Sequence, residues 1–149
     1  LKRCEEMSNK TNQFNSSYKR YNLQQLKSLK KNNKAKIVTF SVSDKYSDSG
    51  IVSYVVLLNK SSHHEIIEFT ISCRALGRGL ESYFLSQLIK KFSINNLLIN
   101  YVKTDRNIPF INLVEKLSLK KNKHNYWISK KKIESNLLKY EKYIKTKIN

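Results

Sequence analysis

Two of the three glycines in this chain fall in one short stretch, Arg74-Ala75-Leu76-Gly77-Arg78-Gly79. It lies between a strand-forming run and a run with helical spacing, a placement that suits anion binding. Glycine lets the backbone turn tightly and removes the Cβ that would hold a ligand away. N–H groups at a helix start have no intrahelical acceptor and carry the positive end of the dipole. Together they can cradle a pyrophosphate, with the guanidiniums of Arg74 and Arg78 as fixed charge beside it. The plain alternative is a tight turn without a ligand. A dinucleotide fingerprint is disfavoured, because Ser82 stands where its third glycine belongs, and there is no Walker A loop. Just ahead of the turn stand Ser72 and Cys73. A thiol at a strand end, beside a helix start and two arginines, is placed to ionise. The plain alternative is a small buried apolar residue. Cys4, in a polar arm, reads as incidental.

These groups need a strand that ends and a helix that begins. Residues 65–72 supply the strand. Leu80, Phe84, Leu85, Leu88, Ile89 and Phe92 recur at helical spacing over about 79–93. Upstream, residues 1–15 read as a polar helix or arm and 22–31 as a short amphipathic helix. Residues 36–43 and 51–58 form a hairpin across Asp48-Ser49-Gly50. Downstream come a strand at 97–102, a loop at Thr104-Asp105-Arg106-Asn107, and a helix opened by Pro109. A late strand follows at Tyr126-Trp127-Ile128, then a basic helix over 133–147. The order defines an α/β domain with a mixed, mostly antiparallel sheet flanked by helices.

Composition narrows the partners. The chain has 149 residues, enough for one domain, and a formal net charge of +18. Such a charge attracts polyanions: nucleic acid, an anionic membrane or a phosphate-bearing cofactor. Only five of the 29 basic residues are arginine, however, and Arg is the residue that reads bases bidentately, so nucleic acid is the weaker reading. The last thirty residues carry ten lysines against Glu134 and Glu141, a pattern usual for a solvated helix face. No apolar run reaches membrane-spanning length, and residues 1–15 are too polar for a signal peptide. Two cysteines make neither a disulfide framework nor a zinc site, and His63, His64 and His124 have no ligand spacing, so no metal is expected. A reducing cytoplasm is the expected setting. The chain opens on Leu1, which reads as a piece of something longer.

The string Ser72-Cys73-Arg74-Ala75-Leu76-Gly77-Arg78-Gly79-Leu80-Glu81 resembles the acyl-CoA pyrophosphate motif of the GNAT acyltransferase fold. Three further motifs lie in the same order: Lys10-Thr11-Asn12-Gln13-Phe14-Asn15, Asp44-Lys45-Tyr46-Ser47-Asp48-Ser49-Gly50 and Thr104-Asp105-Arg106-Asn107-Ile108-Pro109. With them, residues 10–109 resemble the C-terminal acyltransferase-like domain of FkbH-like proteins, which belong to the HAD-superfamily IIIC phosphatases. The resemblance implies a GNAT-like domain over 1–130 with a sheet splayed at its centre, followed by a basic helix or tail over 131–149. It implies a HAD-type phosphatase domain ahead of this one in the parent protein, and an acidic acyl carrier protein as partner. The activity implied is transfer of a glyceryl-type acyl thioester, with CoA or carrier phosphopantetheine bound at Ser72–Gly79. The phosphatase signature Asp-x-Asp is absent, since the aspartates are Asp44, Asp48 and Asp105.

Under that resemblance Cys73 would hold the acyl group, and Glu81 would act as base or orienting partner. Asn107 would hydrogen-bond the pantetheine amides or the acyl carbonyl, with Arg106 beside it, and Asn12, Gln13 and Asn15 would form a polar ligand wall. Each has a plainer reading: dipole complementarity for Glu81, helix capping for Asn107, local turns for the rest. One departure matters. Val114 stands where many GNAT enzymes have a tyrosine acid, which argues against amine acetylation and leaves thiol-to-thiol transfer, where a thiolate departs readily. Two other readings remain: a non-catalytic binding module for CoA or a carrier protein, and a basic nucleic-acid-binding domain.

Overall fold

The computed structural model describes residues 1–43, 48–117, 120–122, 125–129 and 146–148. The β-branched runs pair as their alternation requires. β1 (Ala35–Ser43) and β2 (Asp48–Asn59) form the expected antiparallel hairpin, from Ala35 opposite Leu58 to Ser43 opposite Asp48. β3 (His64–Ile71) continues the meander on β2. β4 (Asn96–Asn100) joins β3 in parallel. β5 (Lys120–Asn122) and β6 (Asn125–Ser129) extend the sheet beyond β4, and β7 (Thr146–Ile148) adds to β1 at the other edge. Among the described residues the sheet therefore has seven strands in the order β5-β6-β4-β3-β2-β1-β7, antiparallel except at β3–β4. This is the fold class expected from the sequence, and no helix of the described residues is long and apolar enough to cross a membrane.

Each face of the sheet carries a helix pair. α1 (Lys2–Lys10) and α2 (Leu23–Lys31) bury Cys4, Met7 and Leu26 against Tyr54, Val56 and Ile67. α2 opens on a capping box in which Asn22 and Gln25 satisfy each other's backbone N–H groups. On the opposite face α3 (Leu80–Lys91) and α4 (Ile108–Lys116) pack Phe84, Leu88, Phe110 and Val114 into the larger core. Pro109 sits in the first turn of α4, where a missing N–H costs nothing.

The parallel pairing of β3 and β4 lasts from His64–Leu97 to Ile66–Ile99 and then stops, so the two strands diverge as the resemblance implies. The gap is not open. Phe14–Ser16 lies in it as an extended segment bridged at Asn15 to Thr70: Ser16 N–H donates to Phe69 O at 3.1 Å and Ile71 N–H to Phe14 O at 3.0 Å. On the other side Val102 N–H donates to Ser16 O at 2.8 Å. Phe14 is fully buried, edge-on to Phe69 and Phe110 at centroid distances of 5.1 and 5.5 Å. The splay therefore leaves no free backbone group on β3 at Phe69 O or Ile71 N–H, because the chain's own segment uses them.

The C-terminal reading also changes. Thr146 and Lys147, expected at the end of a helix, are extended and pair with Val42 and Ser41. The rest of the expected 133–147 helix, the 130/131 boundary, residues 44–47 of the Asp44–Gly50 motif and His124 lie outside the described residues.

Candidate functional site

β3 ends at Ile71 and passes through a single 3-10 turn, Cys73–Ala75, into the glycine stretch. Gly77 and Gly79 both take positive φ, 77° and 74°, a conformation that side-chain-bearing residues avoid. A Cβ at Gly77 would meet nothing within 4 Å, so the turn is required by backbone conformation and faces open space. Gly79 caps α3 without a side chain. The N–H groups of Leu80, Glu81 and Ser82 consequently have no acceptor among the described residues.

A cleft of about 460 Å³ opens at this helix start. Gly77, Arg78, Gly79, Glu81 and Ser82 form one wall, and Pro109, Asn112, Leu113 and Lys116 of α4 form the other. The volume lies within the range of small-molecule sites. Arg78 and Lys116 give it positive charge opposed by Glu81 alone. The donor set fits a phosphate group: uncapped helix N–H groups, one guanidinium, one ammonium and no Cβ over the turn. No group of three or more His, Cys, Asp or Glu able to hold a metal occurs among the described residues.

Glu81 already plays the part of an anion here. Its Oε1 accepts the Gly77 N–H at 2.8 Å, so the first donor of the turn is held by the chain's own carboxylate. Arg74 is placed differently from expectation. Its guanidinium donates to Ser49 O at 2.6 Å, tying the turn to the start of β2, and it does not line the cleft. Ser72 is fixed by its N–H to Val52 O at 2.8 Å, and Ala75 is buried in the core with Leu76 against it.

The two thiols differ in exposure, and the plain reading of Cys73 as a small buried residue does not hold. Cys73 is exposed, and Cys4 is buried under α1 at 1% exposure, where loss of water pushes its thiol pKa up. Cys73 stands ahead of the glycines and outside the cleft wall.

The remaining candidates gather at the splay and not in the cleft. Asn107 is fully buried and its amide is spent on the fold: Nδ2 donates to Val102 O at 2.7 Å and Asn15 O at 3.2 Å, and Oδ1 accepts from Thr104 N–H and hydroxyl. It holds the N-cap position of α4 without capping it. A ligand contact would require one of these bonds to break. Asn15 is fully buried and accepts from Tyr18 N–H at 2.8 Å. Asn12 Oδ1 accepts from Arg20, while Gln13 and Arg106 are exposed. Asn12, Gln13 and Asn15 thus form no wall of the described cleft.

Sequence reasoning missed two things. Asn112 and Lys116 sit four apart on α4, a polar pair on a mostly apolar helix that could have marked the cleft's second wall. Glu68 is the other. It is fully buried within β3, both carboxyl oxygens engaged by the hydroxyls of Ser17 and Thr70. An acid between Ile67 and Phe69 was the available signal.

Comparison with known protein families finds no match, and none of the curated proteins compared matches. Among solved structures the chain is similar to the PaiA N-acetyltransferase from Thermoplasma acidophilum, crystallised in complex with coenzyme A. The TM-score is 0.43 with 12% identity, over 60% of this chain and 58% of that one. The chain thus spans less than two thirds of that protein's length.

Proposed function

We propose that this chain is a GNAT-like acyltransferase domain that binds CoA, or the phosphopantetheine of an acidic acyl carrier protein, at the Ser72–Gly79 turn. There it handles a glyceryl-type acyl thioester for transfer to the carrier. The observation that carries this reading is the uncapped start of α3, left bare by two positive-φ glycines and open to a cleft. In this reading the pyrophosphate takes the N–H groups from Leu80 to Ser82, with Arg78 and Lys116 as counter-charge. Glu81 yields the Gly77 N–H when the phosphate enters. Cys73 is the acyl carrier: its thiolate attacks the thioester carbonyl, the donor thiolate leaves, and a second thiol takes the acyl group from sulfur to sulfur. The acidic carrier protein is drawn by the net charge of +18, and the phosphatase step falls to a separate HAD-type domain.

Two observations favour a second reading. Cys73 stands outside the cleft wall and Asn107 is locked in the fold, so the chain can also be a binding module whose chemistry is done elsewhere.

Calorimetric titration with CoA tests the site. Gly77→Val should weaken binding by about tenfold or more, because strain at positive φ rebuilds the cradle. Unchanged affinity, with loss of binding to both proteins between ~50 and ~200 mM salt, would indicate a general polyanion surface instead. Cys73→Ser separates the two readings. An acyltransferase loses transfer and keeps binding, while a binding module shows no Cys73-dependent transfer at all.

A further inference from the structure

Residues 11–21 cross the splay as a strap. Its backbone fills the β3 edge at Phe69 and Ile71 and takes the Val102 N–H on the other side. Arg20 holds its shape, donating to Ser8 O at 2.5 Å, to Thr11 O at 2.8 Å and to Asn12 Oδ1. Tyr18 and Arg20 stand at φ 58° and 52°, a region non-glycine residues avoid. Such a segment is held by its partners and not by its own preference.

What the strap covers is polar. Glu68, Thr70 and Asn15 are fully buried beneath or within it, and Asn15 Nδ2 has no partner among the described residues. Glu68 meets the strap through the Ser17 hydroxyl and its own strand through Thr70. Around it, Lys19 and Arg20 of the strap attract its charge, while Tyr21 of the strap and Tyr54 of β2 present phenols. α1 brings Cys4 beside Tyr54. No cation among the described residues lies within ion-pair distance of Glu68. A buried carboxylate without an ion-pair partner is costly, whereas a carboxylic acid with two hydroxyl partners is not.

We propose that the strap is a proton-controlled cover: with Glu68 protonated it seats in the splay, and with Glu68 ionised it lifts more often and bares the β3 edge at Phe69–Ile71. Burial raises the Glu68 pKa, in keeping with the covered state holding the proton. Lifting hydrates Glu68, Thr70 and Asn15 together, and it frees backbone groups that an extended partner can pair with as an added strand. Phe14, seated between Phe69 and Phe110, opposes it, so the lifted state is a minor one that amide exchange can detect. Nothing in this cover depends on the ligand reading of the glycine turn.

The test is hydrogen exchange of the Ser16, Ile71 and Val102 amides between about pH 5 and pH 9, corrected for intrinsic rate, with the Leu88 and Ile89 amides of α3 as reference. In the unmodified chain, protection at the three strap-linked amides should fall by about tenfold or more relative to the reference as pH rises. In Glu68→Gln the relative protection should stay level. The same fall in Glu68→Gln, or a fall shared by α3, overturns the proposal. Should that variant fail to fold, carbon-13 titration of the Glu68 carboxyl in the unmodified chain must coincide with the loss of protection, and a mismatch overturns it equally. Ser17→Ala should lower strap protection at the acid end, and unchanged protection there counts against the latch.

Discussion

The glycine turn and the strap both lie against the far end of β3, and they treat their backbones in opposite ways. Around the turn, the first three N–H groups of α3 find no acceptor among the described residues, and open space stands where a Cβ would be at Gly77. Along the strap, Phe14 O, Ser16 N–H and Ser16 O are all paired, and Phe14 is sealed in the core. Both regions contain positive-φ residues, yet only the turn uses glycine for them. The difference separates two roles. Unspent donors in an exposed cleft can be given to a ligand, whereas donors already committed to the sheet position the elements around it.

The largest effect should come from breaking the strap. Phe14→Ala removes a fully buried ring between two others and should destabilise the fold by about 3–5 kcal/mol, read as a lowered midpoint in denaturant. A loss below about 1 kcal/mol would mean that the strap is not part of the core.

A smaller effect is expected at Glu68. The unfolded carboxyl ionises in the ordinary range and the folded one at higher pH, so between the two the folded chain binds the extra proton. Stability should therefore fall as pH rises through that window and level off above the folded pKa. Glu68→Gln should remove this fall and stabilise the chain at neutral pH by about 1–3 kcal/mol. A variant less stable than the parent at neutral pH would show that the carboxylate is needed in its charged form.

Smallest of the three is Glu81→Ala, which sharpens the contrast from the turn's side. Removing an acid from the start of α3 should cost about 0.3–1 kcal/mol of stability. The same change frees the Gly77 N–H and removes the cleft's opposing charge, so CoA should bind several-fold tighter. Weaker binding would make Glu81 a ligand-orienting group instead of a competing anion.

The two regions also differ in how far the sequence announced them. Helical periodicity from Leu80 to Ile89 and the glycine pair placed the turn, its helix and its preceding strand close to where they lie. The hairpin and β4 were legible for similar reasons, while the divergence of β4 from β3 was only what the resemblance implied. The strap was not legible, because its pairing uses three residues of backbone, which leave no periodic trace. β7 is equally short. Glu68 was hidden by its cover: alternation with Phe69 and Ile71 puts it with Thr70 on the other face of β3, and the strap that buries that face through Ser17 leaves no mark in the strand's own sequence. The burial of Cys4 was not legible, because Cys4, Met7 and Ser8 make only a thin buried stripe on a helix of otherwise charged and polar residues. Asn107 was singled out as a contact for the pantetheine amides or the acyl carbonyl. Its type and place in the loop did not reveal that its amide closes on Val102 and Asn15.

The central claim is that the glycine turn, and not the basic surface at large, receives the phosphate end of CoA. Titration of the nitrogen-15-labelled chain with CoA at ~200 mM salt, followed by amide chemical shifts, tests it most directly. The account predicts saturable shifts at Gly77, Arg78, Gly79, Leu80, Glu81 and Ser82, with Asn112 and Lys116 following across the cleft and Phe14–Ser16 unmoved. Shifts scattered over the lysine-bearing surface, or none at Gly77–Ser82, would contradict it.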